Sequence, residues 1–195
     1  MVAVAGGAFG GYYYVNGFSG SGSLNKTVSK VTGTATVGGP FELVSHEGKK
    51  ITEAALKGSP SIVFFGFTHC PEICPTTLSD INGWLEELGD EGKSIKSYFV
   101  TVDPERDNPE VMKDYVTSFS ERIVGLTGAP DKVSQVLKSY RIYSNKVRLG
   151  DGDYTMDHTA SVILLDSKGD FVSTVSYGEL TETAVKKLRL LVKRG

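Results

Sequence analysis

Seven consecutive residues, Ser61 to Phe67 (SIVFFGF), carry no charge and only one small polar side chain. A run this apolar and rich in β formers does not alternate, so it predicts a strand buried on both faces. Such a strand needs a covering layer above and below, which restricts the fold to a sheet sandwiched by other elements. The chain beyond it supplies those layers. Leu78, Ile81, Leu85 and Leu88 form one helical stripe closed by Gly89. Ile95 to Val102 is a second β run. Asn108, Pro109 and Glu110 then give a cap, a first-turn proline and an early acid, with Val111, Tyr115 and Phe119 on one face.

Ile123 to Leu126 predicts a short strand, and Pro130 opens a helix with Val133, Val136, Leu137 and Tyr140 inward. Arg141 to Asp157 shows no period and reads as irregular. Ala160 to Leu165 and Phe171 to Ser176 flank the turn Ser167-Lys168-Gly169-Asp170, the pattern of a hairpin. Thr181 is expected to cap a last helix with Ala184, Val185, Leu188 and Leu191 inward. Strands alternate with helices and end in a hairpin and a helix, which is an α/β order with a mixed sheet covered on both faces.

The two ends of the chain differ in character from this body. No Asp, Glu, Lys or Arg precedes Lys26. Val2 to Val15 is apolar but diluted by glycines, and Tyr12, Tyr13 and Tyr14 suit the aromatic belt where a helix leaves a bilayer. Residues 1–18 are therefore expected to be part of a membrane anchor whose other half would lie upstream, with a Gly-rich tail as the alternative. Residues 19–40 have the Gly/Ser/Thr makeup of a flexible linker, and 41–195 form the domain. At the other end, Lys186, Lys187, Arg189, Lys193 and Arg194 are expected to be the solvated face of the last helix. With 21 basic against 23 acidic residues and no basic cluster in the body, the chain has no electrostatic case for nucleic acid.

Chemistry concentrates in Cys70-Pro71-Glu72-Ile73-Cys74-Pro75, at the junction of the buried strand and the first helix. A helix N-terminus presents unpaired N–H groups and partial positive charge, which lower a thiol pKa. Pro75 is tolerated in the first turn because its missing N–H would have no intrahelical partner. The spacing of four brings both sulfurs to one side of that turn, able to bond each other or to share a metal. The only two cysteines of the chain are both here, so no disulfide framework is in play.

Gly66-Phe67-Thr68-His69-Cys70-Pro71-Glu72-Ile73-Cys74-Pro75 resembles the copper-site motif of the Sco/SenC family, copper chaperones of cytochrome c oxidase assembly. Two more segments are similar to that family in the same order. One is Val102-Asp103-Pro104-Glu105-Arg106-Asp107-Asn108-Pro109-Glu110. The other is Asp157-His158-Thr159-Ala160, before Ser161 to Asp166. The family often has Asp at the position of Glu72, a change that keeps the charge. The resemblance covers residues 40–193 or so. It implies a thioredoxin-like fold, a mixed central sheet with helices on both faces and an N-terminal hairpin extension, tethered to a membrane. It also implies copper ligation by Cys70, Cys74 and His158.

Donor chemistry agrees: two thiolates favour Cu(I), an imidazole extends the site to Cu(II), and a structural zinc site would need a fourth ligand. The family implies delivery to the binuclear copper site of cytochrome c oxidase subunit II, with an upstream copper donor protein, by a metallochaperone rather than an enzyme. The expected location is the periplasmic face of the bacterial inner membrane. The alternative is the mitochondrial inner membrane facing the intermembrane space.

The competing function is a thiol–disulfide oxidoreductase that reduces the cysteines of that partner site. The three-residue spacer, and a histidine where thioredoxin-like reductases place a proline, weigh against a general reductase. A peroxidase of the peroxiredoxin type would want a Thr-x-x-Cys setting that Cys70 lacks. Asp103 and Asp157 are candidate partners of the metal ligands. His69 is expected to be exposed, and His46, beside Gly48 in a hairpin turn, to lie on the surface. Met156 offers a thioether two residues from His158, although packing is its expected role. Met112, Trp84, Phe64 and Phe65 sit at core spacing.

Overall fold

The computed structural model describes residues 37–150 and 152–194, so the anchor expected at 1–18 and most of the expected linker lie outside the described residues. Nine strands and four α-helices follow in order. They are β1 (Glu42–Ser45), β2 (Lys50–Thr52), β3 (Ser61–Gly66), α1 (Ile73–Glu87), β4 (Lys96–Thr101), α2 (Pro109–Thr117), β5 (Ile123–Thr127), α3 (Pro130–Ser139), β6 (Ser144–Arg148), β7 (Tyr154–His158), β8 (Val162–Leu165), β9 (Phe171–Val175) and α4 (Thr181–Val192). Seven strands make one mixed sheet in the order β2-β1-β5-β4-β3-β8-β9, while β6 and β7 form a separate two-stranded sheet.

Every residue of β3 is buried, because the strand lies between parallel β4 and antiparallel β8. Its side chains alternate between two cores. Phe64 stacks on Phe99 of β4 at 5.8 Å, and Phe65 meets Tyr140 at the end of α3 at 5.5 Å. Each phenylalanine is 0% exposed, and burial of such a side chain is worth about 1.5–3 kcal/mol. The double-faced burial expected of this run is what the structure shows. The hairpin joining β8 to β9 is also present, with Gly169 in the left-handed region at φ 84°.

Helix α2 departs from its expected face. Its buried line is Met112 and Val116, with Tyr115 and Phe119 packed at the flank. The cause lies across the interface at Gly125 of β5. A Cβ there would meet Met112 Cε at 3.2 Å and Val116 Cγ1 at 3.3 Å, so the glycine admits the helix closely along that line. Asn108 caps α2 as expected, accepting from Val111 N–H at 3.0 Å. Thr181 does not cap α4: the N-cap is Leu180, which offers no side-chain bond, and Thr181 already belongs to the first turn.

Two further expectations are corrected. Arg141 to Asp157 is not irregular but carries the β6–β7 hairpin. Most side chains of β6 are exposed, so no buried face imprinted an alternation of apolar and polar residues on its sequence. His46 is not a free surface residue. Its Nδ1 accepts from Gly125 N–H at 2.9 Å while its own N–H donates to Gly125 O at 2.8 Å, extending the β1–β5 pairing past the end of the strand.

The placement of α2 is testable. Met112→Ala should cost about 2–5 kcal/mol in urea unfolding and Val111→Ala less than about 1 kcal/mol; equal costs would contradict the observed packing.

Candidate metal centre

The carboxyl end of β3 delivers the chain into the cysteine turn, outside a sheet edge where α/β folds gather their ligands. Thr68 fixes the turn. Its N–H and Oγ1 donate to the Asp107 carboxylate at 3.2 and 2.6 Å, and Thr101 Oγ1 donates to the same carboxylate at 2.6 Å. Asp107 is fully buried. Burial pushes its carboxyl up from the usual range, opposed by the Thr101 and Thr68 hydrogen bonds.

Cys70 and Cys74 are both free thiols. Helix α1 starts at Ile73 with no side-chain cap from Glu72; instead Cys70 Sγ accepts the Cys74 N–H at 3.3 Å. One of the orphan donors of the helix start is thereby spent on sulfur. Cys74 is 0% exposed and sits against the strand end itself. A Cβ added to Gly66 would lie 2.7 Å from Cys74 Sγ and 2.7 Å from Phe99 Cε2, so only glycine leaves room for this sulfur.

The hydrogen bond from Cys74 pulls the Cys70 pKa down to about 4, against burial, with His158 and the backbone N–H groups of Cys74 and Glu72 adding to the fall. The Cys74 thiol is pushed up by that same bond to Cys70 and by its burial. The pair therefore holds one negative charge, shared between an outer thiolate and an inner thiol.

His158 ends β7 and lies partly buried against the aromatic rings of Phe67 at 5.8 Å and Phe64 at 6.4 Å. Its Nδ1 is 3.0 Å from the Thr159 carbonyl oxygen. That oxygen can only accept, so Nδ1 carries a proton, and in the neutral ring the lone pair is on Nε2. Nε2 points at Cys74 Sγ, 3.6 Å away. The sulfurs of Cys70 and Cys74 and a ring nitrogen of His158 all lie within 4.8 Å of one another. Metal bonds of about 2.0–2.3 Å place ligand atoms about 3.5–4 Å apart, so a small contraction brings the three around one cation. No acidic side chain joins them among the described residues.

Other candidates fall elsewhere. His69 is exposed, with Nδ1 3.1 Å from Thr68 Oγ1. Asp157 is exposed, and the second nitrogen of His158 is taken by a backbone carbonyl rather than by a carboxylate. Asp103 is buried but binds Arg106 Nε at 2.6 Å and accepts from Tyr154 OH at 3.0 Å. Met156 lines a groove of about 400 Å³ with Phe67, Cys70, Ile73, Tyr143 and His158. Sequence reasoning missed Gly66, Thr68 and Asp107 as supports of the cysteine turn. All three stand inside the two motifs quoted above, but their role is visible only as distances.

The sequence profile described as SCO1/SenC matches residues 29–193. Yeast mitochondrial protein SCO2 is 38% identical over 164 residues, covering 83% of this chain and 54% of its own length. The copper-bound structure of Bradyrhizobium japonicum ScoI superposes with a TM-score of 0.74 at 44% identity, covering 80% of this chain and 99% of that one. Copper-bound yeast Sco1 superposes with a TM-score of 0.75 at 38% identity, covering 82% and 90%. The chain spans about half the length of the curated relatives it matches. The mixed sheet and four helices are thus the thioredoxin-like fold of these structures.

The charge sharing between the thiols sets a pH expectation. A lowered pKa means that Cys70 is thiolate above about pH 4 and protonated below it. Alkylation of the reduced protein by iodoacetamide should show one reactive thiol with that midpoint, while the second stays unreactive past neutrality. Two equivalent thiols titrating near the unperturbed value of about 8.5 would contradict it.

Proposed function

The chain belongs to the SCO1/SenC family, and on that premise we propose that it binds one copper ion through Cys70, Cys74 and His158 and hands it to a partner protein. The observation that carries this reading is the convergence of three ligand atoms from two separate segments within 4.8 Å. Two thiolates and one imidazole form a soft donor set that suits Cu(I) and tolerates Cu(II), and three ligands fall short of a closed tetrahedral zinc site. The related ScoI and Sco1 structures hold copper.

Transfer requires that the ion be reachable. Cys70 is partly exposed, and His158 sits on a hairpin that pairs with no strand of the main sheet. A recipient ligand therefore approaches across the groove and displaces the outer ligands first, leaving buried Cys74 to release last. The recipient we propose is the binuclear copper site of cytochrome c oxidase subunit II, with an upstream copper donor protein loading the chain. Residues 1–18 would tether the domain to a membrane. The periplasmic face of a bacterial inner membrane is the proposed location, with the mitochondrial inner membrane facing the intermembrane space as its counterpart.

Binding needs reduced sulfurs. Transfer of two electrons to a partner disulfide, with loss of the one remaining thiol proton, would join Cys70 to Cys74 and remove both ligands. The arrangement of a partly exposed low-pKa thiol over a buried one favours a second reading as a thiol–disulfide oxidoreductase. In that role the Cys70 thiolate attacks a partner disulfide, and Cys74 then resolves the mixed disulfide, leaving the partner with two thiols.

The test is metal binding by variants. The reduced protein should take up one copper ion per chain, and His158→Ala should weaken Cu(II) binding by roughly ten- to thousandfold with loss of the thiolate-to-Cu(II) absorption, on the scale of losing a ligand or its support. Unchanged binding of both copper states by that variant would refute the histidine assignment. Reduction of insulin disulfides at a thioredoxin-like rate would instead favour the oxidoreductase.

A further inference from the structure

We propose that the loop Asp103–Asp107 sets the distance between the two halves of the metal site, and that Arg106 is the positioning residue for the hairpin that carries His158. This rests on the reading of that site as a copper site. The loop follows β4 and touches both ligand-bearing segments. At one end Asp107 holds Thr68, two residues before Cys70, through two hydrogen bonds. At the other end the loop grips the β6–β7 hairpin at several points.

Arg106 is the centre of that grip. Its Nε binds the buried Asp103 carboxylate at 2.6 Å, its Nη1 donates to the Tyr154 carbonyl at 3.0 Å, and its guanidinium lies 3.7 Å from the centre of the Tyr154 ring. Tyr154 OH closes the circuit by donating to Asp103 at 3.0 Å. Glu105 adds a fork around Lys146 Nζ at 2.7 Å, and that ammonium also rests 4.2 Å from the Tyr154 ring.

The hairpin needs such a grip. Its strands pair only with each other. At its base Tyr143 N–H donates to Thr159 Oγ1 at 3.1 Å and Thr159 N–H to Tyr143 O at 3.0 Å, which carries the β6–β7 ladder one pair further, and the His158 ring rests on Phe67 and Phe64. The ladder stiffens the ribbon and the ring contact seats one end of it, while its pitch over the cysteine turn stays open. The clamp on Tyr154 supplies the second point of attachment, and two points set the angle of a rigid ribbon. Arg is suited to this task because a planar fork bonds a carboxylate, a carbonyl and a ring face at once, which Lys cannot do. Removing the clamp leaves the two sulfurs where they are and lets the imidazole drift.

The two copper states separate this role from a general loss of structure. A dithiolate binds Cu(I) without the imidazole, whereas Cu(II) needs it. In Arg106→Ala and in Tyr154→Leu, Cu(II) affinity by competition titration should fall about ten- to hundredfold, with Cu(I) affinity changed by less than about threefold. Tyr154→Leu keeps the Asp103–Arg106 pair, so it decides the matter if Arg106→Ala leaves a buried carboxylate unpaired and fails to fold. Amide hydrogen exchange across β6 and β7 in the metal-free variants should accelerate at least about tenfold while β3 and β4 stay protected.

His158→Ala is the control. If it loses Cu(II) while both clamp variants keep parental affinity and hairpin protection, the inference is overturned. If His158→Ala keeps Cu(II), the histidine assignment fails, and exchange in the metal-free hairpin alone decides whether Arg106 holds it: parental protection overturns the clamp and faster exchange supports it.

Discussion

The seat of Cys74 is the constraint from which the rest of the site follows. Its sulfur is wholly enclosed and lies where a Gly66 side chain would otherwise be, against the Phe99 ring. Gly66 in turn ends a strand buried along its whole length. A sulfur so placed cannot be approached from solvent on its own account, so any second ligand has to be brought to it by the fold. Cys70 arrives by way of the helix start, and His158 by way of the hairpin.

The three donor groups rest on supports of different stiffness. Cys74 belongs to the core: strand, helix and aromatic neighbours define its position together. Cys70 is held by backbone hydrogen bonds at a helix N-terminus, where the peptide dipoles favour its charge. His158 depends on an outlying two-stranded ribbon. Its Nδ1 proton is committed to a backbone carbonyl, which leaves the other nitrogen ready as a donor without any carboxylate relay. A site graded in this way from fixed to adjustable suits a protein whose cargo must be bound and then surrendered.

Much of this was legible in the residues. SIVFFGF, standing between turn signals, announced a central strand because apolar side chains on both faces leave no other reading. The cysteine motif announced the reactive turn because it falls at a strand-to-helix junction. Where a buried face was all but absent, the sequence was silent. Ser144 to Arg148 form a strand with almost no buried face, so the hairpin that carries His158 left no period. The inner line of α2 was misread by one position because a glycine on another strand decides it. Thr68, Gly66 and Asp107 act through contacts 39 residues apart in one case and through the absence of a Cβ in another, and neither leaves a local signature.

The claim at the centre of this account is that two sulfurs and one imidazole meet at a single copper ion. X-ray absorption at the copper edge of the Cu(II)-loaded reduced protein measures this directly. The account predicts two sulfur scatterers at about 2.3 Å and the outer-ring scattering of one imidazole whose nitrogen lies at about 2.0 Å, with the imidazole signal gone in His158→Ala. A single sulfur, or an imidazole signal that survives that substitution, would contradict it.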